Sequence, residues 1–423
     1  MDLDNPVLYS GRPPLALVLA GGRGQRLEPL TLHRSKPAVP FGGRYRIVDF
    51  VLSNLVNSNI HAIYVLTQYK AQSLLQHLHH TWMGQMGRDA FITPVPAQMQ
   101  SGTNWYQGNA DAIYQNLDLI RNYRSSLIVV FGADHIYKMD VRRMMRFHVG
   151  KKASATVACI PIPIGEASSF GVVQVDEDWR VTGFEEKPDD PSPIPGRPGY
   201  ALVSMGNYCF QPELLYEVLQ DDAGISDSEH DFGRSIFPKI FQSERVFAYD
   251  FHQNQVPGET ALGATYWRDV GTIDAYYTAN MDLRSIRPAL NLYNWNWPIL
   301  SGSHMDPPAK FVFDEGSRKG AALQSIVSSG SILAGCTVRN SLIGRNVFVD
   351  DRARVERSII MDNVKIGAGA VIVDAILDKN VTVAPKEVIG GAKYELRQGE
   401  VRSKGGIVAL PKAPESPESL ARG

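Results

Sequence analysis

The chain has 423 residues, of which 44% are hydrophobic and 21% are charged, and its formal net charge at pH 7 is −1. This length predicts two or three domains, and the composition is typical of a soluble globular protein. Because the charge is nearly balanced and no run approaches the roughly 20 apolar residues of a membrane span, we expect neither nucleic acid nor a membrane as a partner.

The cysteines and the first residues bear on the compartment. Cys159, Cys209 and Cys336 lie far apart and have no C-x-x-C spacing, which favours buried, reduced thiols over a disulfide or a metal site. The opening stretch, MDLDNPVLYSGRPP, contains no apolar segment of signal-peptide length. These features together predict a cytoplasmic location.

A glycine-rich loop follows the first predicted strand. The apolar run Leu15 to Ala20 is typical of a buried β-strand, and Gly21, Gly22 and Gly24 come directly after it. Glycine lets backbone N–H groups turn towards a ligand, as in loops that hold phosphate oxygens. The loop matches neither a Walker motif nor a G-x-G-x-x-G fingerprint, because Leu27 stands where each requires its last glycine.

Basic residues crowd the same part of the chain. Glu28 is the only acid among them. The cations are Arg12, Arg23, Arg26, Arg34, Lys36, Arg44 and Arg46. Because the rest of the chain is nearly neutral, this cluster indicates a local anion site; a glycine turn with surface arginines is the alternative reading of the spacing.

Strand and helix patterns alternate up to residue 160. Helices are predicted at Ile47–Asn57, Ala71–His80, Ala110–Ile120 and Val141–Val149, and strands at Ala62–Leu66, Leu127–Phe131 and Ala155–Ile160. This alternation predicts a mostly parallel sheet with helices on both faces, in which ligands bind beyond the carboxyl ends of the strands.

Two acids are candidate metal ligands. Asp134, in FGADHIYKMD, follows a central predicted strand, and Asp269 lies in YWRDVGT. Magnesium prefers such hard oxygen ligands. From spacing alone, an acid after a strand is more often a loop cap, so that reading stays open.

The following residues are less regular. The proline- and glycine-rich segment Pro188–Gly199 is predicted to be a loop. Helices are predicted at Pro212–Gln220, Phe232–Phe241 and Thr272–Ile286. The pattern then changes, which predicts a nucleotide-binding domain at 1–287, a linker at 288–312, a repeat domain at 313–411 and a disordered tail at 412–423.

The repeat domain has a period of 17 residues, as in Val338, Val355, Ile372 and Ile389. Apolar residues recur in steps of five or six at Ile326, Ile332, Val338, Ile343, Val349, Val355, Ile360, Ile366, Ile372, Leu377, Val383 and Ile389. A helix has no such period, whereas strand–turn units do. Three units per turn predict a triangular parallel β-helix with these residues stacked inside it.

The sequence GGRGQRLEPLT followed by a Lys-Pro pair resembles the sugar-nucleotide pyrophosphorylases, and KPAVPFGGRYRIVDFVLSN resembles their ADP-glucose pyrophosphorylase (glucose-1-phosphate adenylyltransferase) branch. Ser35, Asn109 and Ala133 stand where that family commonly has Ala, Thr and Gly. The resemblance implies a Rossmann-like nucleotidyltransferase domain followed by a left-handed parallel β-helix. It also implies a Mg²⁺-dependent homotetramer that makes ADP-glucose and diphosphate from ATP and glucose 1-phosphate, supplies glycogen synthesis and responds to anionic metabolites.

By the same resemblance, Asp134 and Asp269 bind the metal, with Asp134 counted among the catalytic residues. Arg23 and Lys36 are the other two catalytic residues, because they neutralise the diphosphate end of ATP. Gln98 is implied near the adenine, and Gly21, Gly22 and Gly24 around the ATP phosphates. His135 is expected to be structural, because a phosphate oxygen requires no deprotonation.

The resemblance places glucose 1-phosphate on a second set of residues. These are Tyr106, Gly171, Glu186, Lys187 and Ser204. Lys187 precedes a proline at the end of a predicted strand, where its ammonium group could bind a sugar phosphate. Without the family context, FEEKP would be interpreted as a solvated Glu-Lys turn.

The number of cations exceeds what one triphosphate requires. Arg34, Arg44 and Arg46 are therefore predicted to form a second, allosteric anion site, with the β-helix packed against it; ordinary surface ion pairs are the alternative. Two rival functions also remain: a related sugar-1-phosphate nucleotidyltransferase with another base or sugar, and a non-catalytic regulatory subunit of the same fold.

Overall fold

The computed structural model describes residues 13–82, 90–98, 105–259, 266–315 and 318–414. Arg12 and residues 415–423 of the predicted tail lie outside the described residues. No helix in the described ranges combines the length and the apolar character needed to cross a bilayer. The three cysteines are free and buried, as predicted.

The first part of the chain alternates strands and helices. Its strands are β1 (Leu15–Leu19), β2 (Pro40–Phe41), β3 (Tyr45–Arg46), β4 (Ala62–Thr67), β5 (Phe91–Pro96), β6 (Ile128–Gly132), β7 (His135–Tyr137), β8 (Ala155–Pro163), β9 (Gly171–Val175), β10 (Val181–Glu186), β11 (Tyr200–Phe210), β12 (Val246–Asp250) and β13 (Trp267–Asp269). Its α-helices are α1 (Ile47–Asn57), α2 (Gln72–Thr81), α3 (Asn109–Tyr114), α4 (Leu117–Tyr123), α5 (Val141–Gly150), α6 (Pro212–Ala223), α7 (Phe237–Ile240) and α8 (Ile273–Asp282).

These strands build one large sheet, whose central order is β10-β9-β11-β6-β1-β4-β5, with β8 and β12 attached through β11. Strands β6, β1, β4 and β5 run parallel. The long strand β11 runs antiparallel to β6, β8 and β9, and its pairing with β8 has a register shift between Ser204 and Tyr208. The α/β class is confirmed, although the sheet is mixed where β11 enters it.

Two of the predicted helices are broken, and the helix predicted at Thr272–Ile286 ends early, at Asp282. The helix predicted at Ala110–Ile120 is divided into α3 and α4. The division occurs because the Asn116 side-chain amide donates to the Ala112 carbonyl, and the Asn116 backbone N–H donates to Ile113 instead. The helix predicted at Phe232–Phe241 is a π-helical turn, Phe232–Ile236, followed by the short helix α7.

The second part of the chain consists of short strands. They are β14 (Lys310–Val312), β15 (Asp314–Glu315), β16 (Arg318–Lys319), β17 (Ala321–Leu323), β18 (Ile326–Val327), β19 (Ile332–Ala334), β20 (Thr337–Arg339), β21 (Leu342–Ile343), β22 (Phe348–Val349), β23 (Arg354–Glu356), β24 (Ile359–Ile360), β25 (Lys365–Ile366), β26 (Val371–Val373), β27 (Ala375–Leu377), β28 (Thr382–Val383), β29 (Val388–Gly390), β30 (Val401–Arg402) and β31 (Val408–Leu410). Strands β15 and β16 pair with each other, and the other strands form three sheets with the orders β14-β19-β22-β25-β28, β17-β20-β23-β26-β29 and β18-β21-β24-β27-β31-β30. The β-helix prediction is confirmed, and its left hand stays a prediction.

The repeat explains which side chains fill the β-helix. Val338, Val355, Ile372 and Ile389 pair in register along one sheet and are buried. Asn340, Arg357 and Asp374, each 17 residues after the last, share positive φ angles of 49°, 44° and 50° at one corner.

The 17-residue period is wrong for the first coil. Ile326 and Ile332 were expected inside, but Val327 and Leu333 occupy the inward positions, paired with Ile343 and Val349. The step between these coils is 16 residues, and a slip of one residue exchanges the two faces of a strand.

The two parts of the chain share a hydrophobic core. Leu342, Ile359 and Ile376 point outwards from one β-helix sheet and cluster with Phe41 and Phe50 of the first part. This contact places the β-helix against the segment that carries the predicted anion-binding arginines.

Candidate active site

The glycine loop begins where β1 ends. Gly24 has φ 65°, and a Cβ atom there would lie 3.0 Å from Cβ of Lys36. Its carbonyl accepts hydrogen bonds from the Thr31 hydroxyl, at 2.9 Å, and from the Leu27 backbone. A side chain at this position would therefore be strained and crowded, which explains the glycine.

Asp134 emerges beside this loop. Strands β1 and β6 are parallel neighbours with Leu19 opposite Gly132, and the Ala133 N–H donates to the Leu19 carbonyl. Both strands therefore deliver their following residues to the same edge of the sheet. That edge opens into a cavity of about 560 Å³. The residues that line the cavity are Leu19, Gly21, Gly22, Arg23, Gly24, Gln25, Arg26, Lys36, Pro37, Leu66, Gln68, Tyr106, Gly108, Asn109, Ala112, Gly132, Asp134 and Gly271.

The two predicted metal ligands converge at this edge. Strand β7 pairs antiparallel with β13, so that His135 lies opposite Asp269. Asp134, His135 and Asp269 each offer a ligand atom within 4.8 Å of the others. Two carboxylates at this separation fit a hard divalent cation such as Mg²⁺, because it prefers oxygen ligands. The chain therefore has a suitable donor set at the cavity, although the imidazole is the less suitable member.

Lys36 connects both carboxylates. Its Nζ lies 2.9 Å from Asp269 Oδ1 and 3.2 Å from Asp134 Oδ2, and its side chain is buried. Burial by itself would lower the pKa of Lys36, but the charges of Asp134 and Asp269 outweigh it and raise that pKa. Burial by itself would raise the pKa of Asp134, but the charges of His135 and Lys36 hold it well below its usual range.

One of the five predicted sugar-phosphate residues lines this cavity. Among the described residues, Tyr106 lines it, whereas Gly171, Glu186, Lys187 and Ser204 are not part of its lining. Lys187 has φ 51° and is half exposed, and its Nζ lies 3.0 Å from Glu186 Oε1. The Ser204 hydroxyl accepts a hydrogen bond from the Gly206 N–H.

Glu186 is connected to the cavity by two further residues. A Cβ atom at Gly171 or at Gly233 would come within 2.7 Å of Glu186 Oε2, so a side chain at either position would displace the carboxylate from this place. The Gly233 N–H donates to Asp231, which accepts a 2.6 Å hydrogen bond from the Asn109 amide. Because Asn109 lines the cavity, Glu186 and the cavity share one continuous wall.

Sequence reasoning missed Gln68. This residue follows β4 and lines the cavity, and its amide donates to the Tyr106 carbonyl at 3.2 Å. The rule that ligands bind beyond the carboxyl ends of parallel strands could have identified it. Gln98, which was predicted near the adenine, is exposed at the end of β5 and is not among the described lining residues.

Trp267 was also missed. Its ring centroid lies 5.0 Å from that of His135 and 5.4 Å from that of Phe170. It therefore packs the β7–β13 ribbon against the segment that precedes Gly171. The motif YWRDVGT contained this tryptophan, but nothing in its spacing distinguished it from a core residue.

The three arginines of the predicted second anion site lie away from the cavity. Arg34 Nη2 donates to both carboxylate oxygens of Asp378, at 2.8 and 2.9 Å, across the boundary with the β-helix. Arg46 donates to Ser73, and Arg44 to the Gly302 carbonyl.

Burial first, and then the charge of Arg34, lower the pKa of Arg46 to about 10. Lys379 lies nearby and is paired with Asp362 at 2.7 Å. Burial lowers the pKa of Lys379, and the charges of Arg46 and Arg34 lower it further. The boundary between the two parts of the chain therefore holds several mutually repelling cations.

Comparison with known proteins adds to this geometry. Residues 15–286 match the family model described as nucleotidyl transferase, and residues 307–410 match the GlmU-like C-terminal hexapeptide model. The chain is 50% identical over 408 residues to a glucose-1-phosphate adenylyltransferase of Thermus thermophilus, covering 94% of this chain and 98% of the relative. It is 46% identical to enzymes of the same name from Deinococcus radiodurans (94% and 98% covered) and Nitrosomonas europaea (99% and 96% covered).

Proposed function

The chain belongs to the glucose-1-phosphate adenylyltransferases, a family of nucleotidyl transferases, and from this premise we propose that it transfers the adenylyl group of ATP to glucose 1-phosphate. The products are ADP-glucose and diphosphate. The observation that carries the proposal is one cavity in which the glycine loop meets Lys36 and Asp134. This arrangement combines phosphate-binding backbone, a cation and a metal-binding acid at one edge of the sheet.

The reaction needs positioning and charge neutralisation more than proton transfer. A phosphate oxygen of glucose 1-phosphate forms a bond to the α-phosphorus of ATP, and the bond from that phosphorus to the β-bridging oxygen breaks. The electron pair leaves with diphosphate, whose growing charge is neutralised by Arg23, Arg26 and Lys36. The attacking oxygen is already ionised at neutral pH, so His135 is not required as a base.

Asp134 and Asp269 are the residues that would hold Mg²⁺. When bound, the ion supplies further neutralisation of the phosphate oxygens. We expect Asp134→Asn to lower kcat by roughly 10²–10⁴-fold in a chain that still folds, because the residue lies at a strand end and outside the core. Loss of its ion pair with Lys36 should lower the melting temperature without unfolding the chain. The exposed ion-pair residue Asp314, changed to Asn, is the matched control. Near-normal turnover of the Asp134 variant would remove this residue from the mechanism.

The sugar phosphate is proposed to bind along the wall formed by Glu186, Asp231 and Asn109. The Glu186 carboxylate accepts a hydrogen bond from a sugar hydroxyl, and the Lys187 ammonium contacts the phosphate. Tyr106, Gly171 and Ser204 complete this side, with the Tyr106 hydroxyl oriented by a 3.0 Å hydrogen bond from the Asn116 amide. The Lys187–Glu186 ion pair and the closeness of Glu186 to Gly171 support the assignment.

The test of the overall function is diphosphate release with glucose 1-phosphate and each of ATP, UTP, GTP and dTTP. We expect diphosphate release with ATP only, or at a far higher rate with ATP than with the other three nucleotides. Preference for another nucleotide would identify a related enzyme of different base specificity. Absence of release with all four, from folded protein, would favour a non-catalytic regulatory subunit.

Regulation by an anionic metabolite is proposed at the boundary between the domains, at Arg34, Arg44 and Arg46. Two observations support it: within the described residues, the buried Arg34 Nη1 has no hydrogen-bond partner, and Arg46 lies near the charges of Arg345 and Lys379. An anion there would favour one arrangement of the domains, a coupling of roughly 1–3 kcal/mol.

Arg46→Ala should then raise the activator concentration needed, roughly tenfold, and leave the unactivated rate nearly unchanged. Fructose 1,6-bisphosphate, fructose 6-phosphate and pyruvate are the probes. An absence of response in the wild type, or a parallel loss of basal rate in the variant, would contradict the site.

The remaining proposals concern assembly and location. We propose a homotetramer in the cytoplasm with a role in glycogen synthesis, and domain boundaries at 287 and 313. Light scattering of the purified chain tests the assembly, and any mass other than four chains would contradict it.

A further inference from the structure

The two acids proposed to hold the metal already have a counter-ion. Lys36 Nζ contacts Asp269 Oδ1 at 2.9 Å and Asp134 Oδ2 at 3.2 Å. The other two carboxylate oxygens also face nitrogen atoms: Asp134 Oδ1 lies 3.3 Å from His135 Nδ1, and Asp269 Oδ2 lies 3.8 Å from Arg26 Nη2. Every oxygen of the pair therefore has a nitrogen neighbour from the chain itself.

The position of Lys36 is built into the fold. Lys36 begins the short 3-10 helix Lys36–Ala38, with extended Ser35 before it and Pro37 after it. Its Cβ is held against the left-handed Gly24, and only 6% of its side chain is exposed. A buried ammonium on so constrained a backbone is not a chance surface pair, whose members would be solvated and mobile. With the backbone and the start of the side chain held in place, only the ammonium end of Lys36 can move to another partner.

A divalent cation and this ammonium compete for the same oxygens. Mg²⁺ binds carboxylate oxygens at about 2.0–2.1 Å, and a second cation in contact with those oxygens repels it strongly at that range. The glycine loop and Lys36 line one cavity, so a polyphosphate bound there offers the ammonium another anionic partner.

We propose that the Lys36 ammonium blocks the binding of free divalent cations to the Asp134–Asp269 pair. It moves away from the two carboxylates when a nucleotide polyphosphate binds in the cavity and offers it another anionic partner. The metal then enters with the nucleotide and not before it. This inference rests on the proposed function only for the identity of that nucleotide, ATP.

Water-proton relaxation enhancement by Mn²⁺ tests the inference without turnover. The wild type is titrated with Mn²⁺ alone and then with ATP present, in the absence of glucose 1-phosphate, beside Lys36→Met, which keeps most of the apolar stem. Wild type should show weak enhancement with Mn²⁺ alone and strong enhancement once ATP is added. Lys36→Met should bind Mn²⁺ alone at least roughly tenfold more tightly than wild type, on the scale of one close charge pair.

Three control variants distinguish the direct contact of Lys36 with the two acids from the effect of positive charge near the site. Arg26→Gln removes the same charge from a side chain that is 68% exposed and 3.8 Å from Asp269, and it should change Mn²⁺ affinity little. Lys36→Arg retains a cation and should retain weak binding. The double variant Lys36→Met/Asp134→Asn should lose the tight binding, which assigns it to these acids.

Two outcomes would overturn the inference. Wild type that binds Mn²⁺ alone as tightly as Lys36→Met would mean that the ammonium is no barrier. A folded Lys36→Met that binds Mn²⁺ more weakly would mean that Lys36 only supports the two acids. Failure of the proposed function is distinguishable, because it would abolish diphosphate release and leave the difference in Mn²⁺ affinity in place.

Discussion

The buried pair Arg34–Asp378 should be one of the most sensitive contacts in the molecule. It joins residues 344 positions apart, and the two side chains are 3% and 1% exposed. Arg34→Met keeps much of the apolar volume but leaves the Asp378 carboxylate buried, with the Lys379 N–H as its one remaining hydrogen-bond donor in the described part of the chain. An uncompensated buried charge of this kind costs about 3–5 kcal/mol.

The chain provides a matched comparison. Arg357 and Asp374 in the β-helix make a similar two-point contact, at 2.7 and 2.9 Å, but their side chains are 47% and 32% exposed. Solvent screens that pair, so Arg357→Met should cost only about 0–1 kcal/mol. Both pairs join a guanidinium to a carboxylate, so burial is the main difference between the two variants, although Arg357 also lies 3.7 Å from Glu356.

Denaturant unfolding, followed by tryptophan fluorescence and by far-UV circular dichroism, measures both variants. The double variant Arg34→Met/Asp378→Leu removes both charges and should be less destabilised than Arg34→Met alone. Equal costs for Arg34→Met and Arg357→Met would refute the reasoning, as would a double variant whose cost is the sum of the single ones.

Three further predictions follow from single residues. Ser35→Ala should raise the free energy of unfolding by about 1–3 kcal/mol in denaturant titrations, because the Ser35 hydroxyl is fully buried and has no hydrogen-bond partner among the described residues; a loss of stability would show that it has one. Burial lowers the pKa of His148 from 6.5 to about 4, so the folded state binds fewer protons and stability is lost as pH falls from 6.5 towards 4. Between pH 7 and pH 5, the free energy of unfolding of His148→Gln should therefore fall by about 2 kcal/mol less than that of the wild type in urea titrations. An identical pH dependence of the two proteins would contradict this. Lys187→Ala should raise KM for glucose 1-phosphate roughly 10–100-fold and leave KM for ATP nearly unchanged, and an equal rise in both would assign Lys187 to the nucleotide.

Local patterns were sufficient for much of the fold. Helix α1 has the predicted bounds, Ile47–Asn57, because its apolar residues repeat at helical spacing. The interior of the β-helix could be read from the sequence because each coil repeats the same strand–turn unit. The glycine loop and Asp134 could be assigned to one edge because parallel strands deliver their carboxyl ends together.

Predictions failed where a side chain or a neighbouring element overrides the local pattern. Asn116 divides a helix that its periodicity favoured, because its amide takes a main-chain carbonyl. Val327 replaces Ile326 inside the first coil, because strand pairing across coils decides the register and both residues are equally apolar. Gln98 was assigned from the family resemblance alone, whereas Gln68, which follows a predicted strand, is the residue that the sheet places at the cavity.

The sequence by itself determined the two architectures, the glycine loop after the first strand and the acids at the strand ends, because these depend on periodicity and on residues close together in the chain. Only the tertiary structure decided the partners of the charges. Lys36 lies between Asp134 and Asp269, and Arg34 is paired with Asp378 in the other domain. Ion pairing depends on distances of a few ångströms between segments far apart in the chain, and residue spacing carries no information about such distances until the chain has folded.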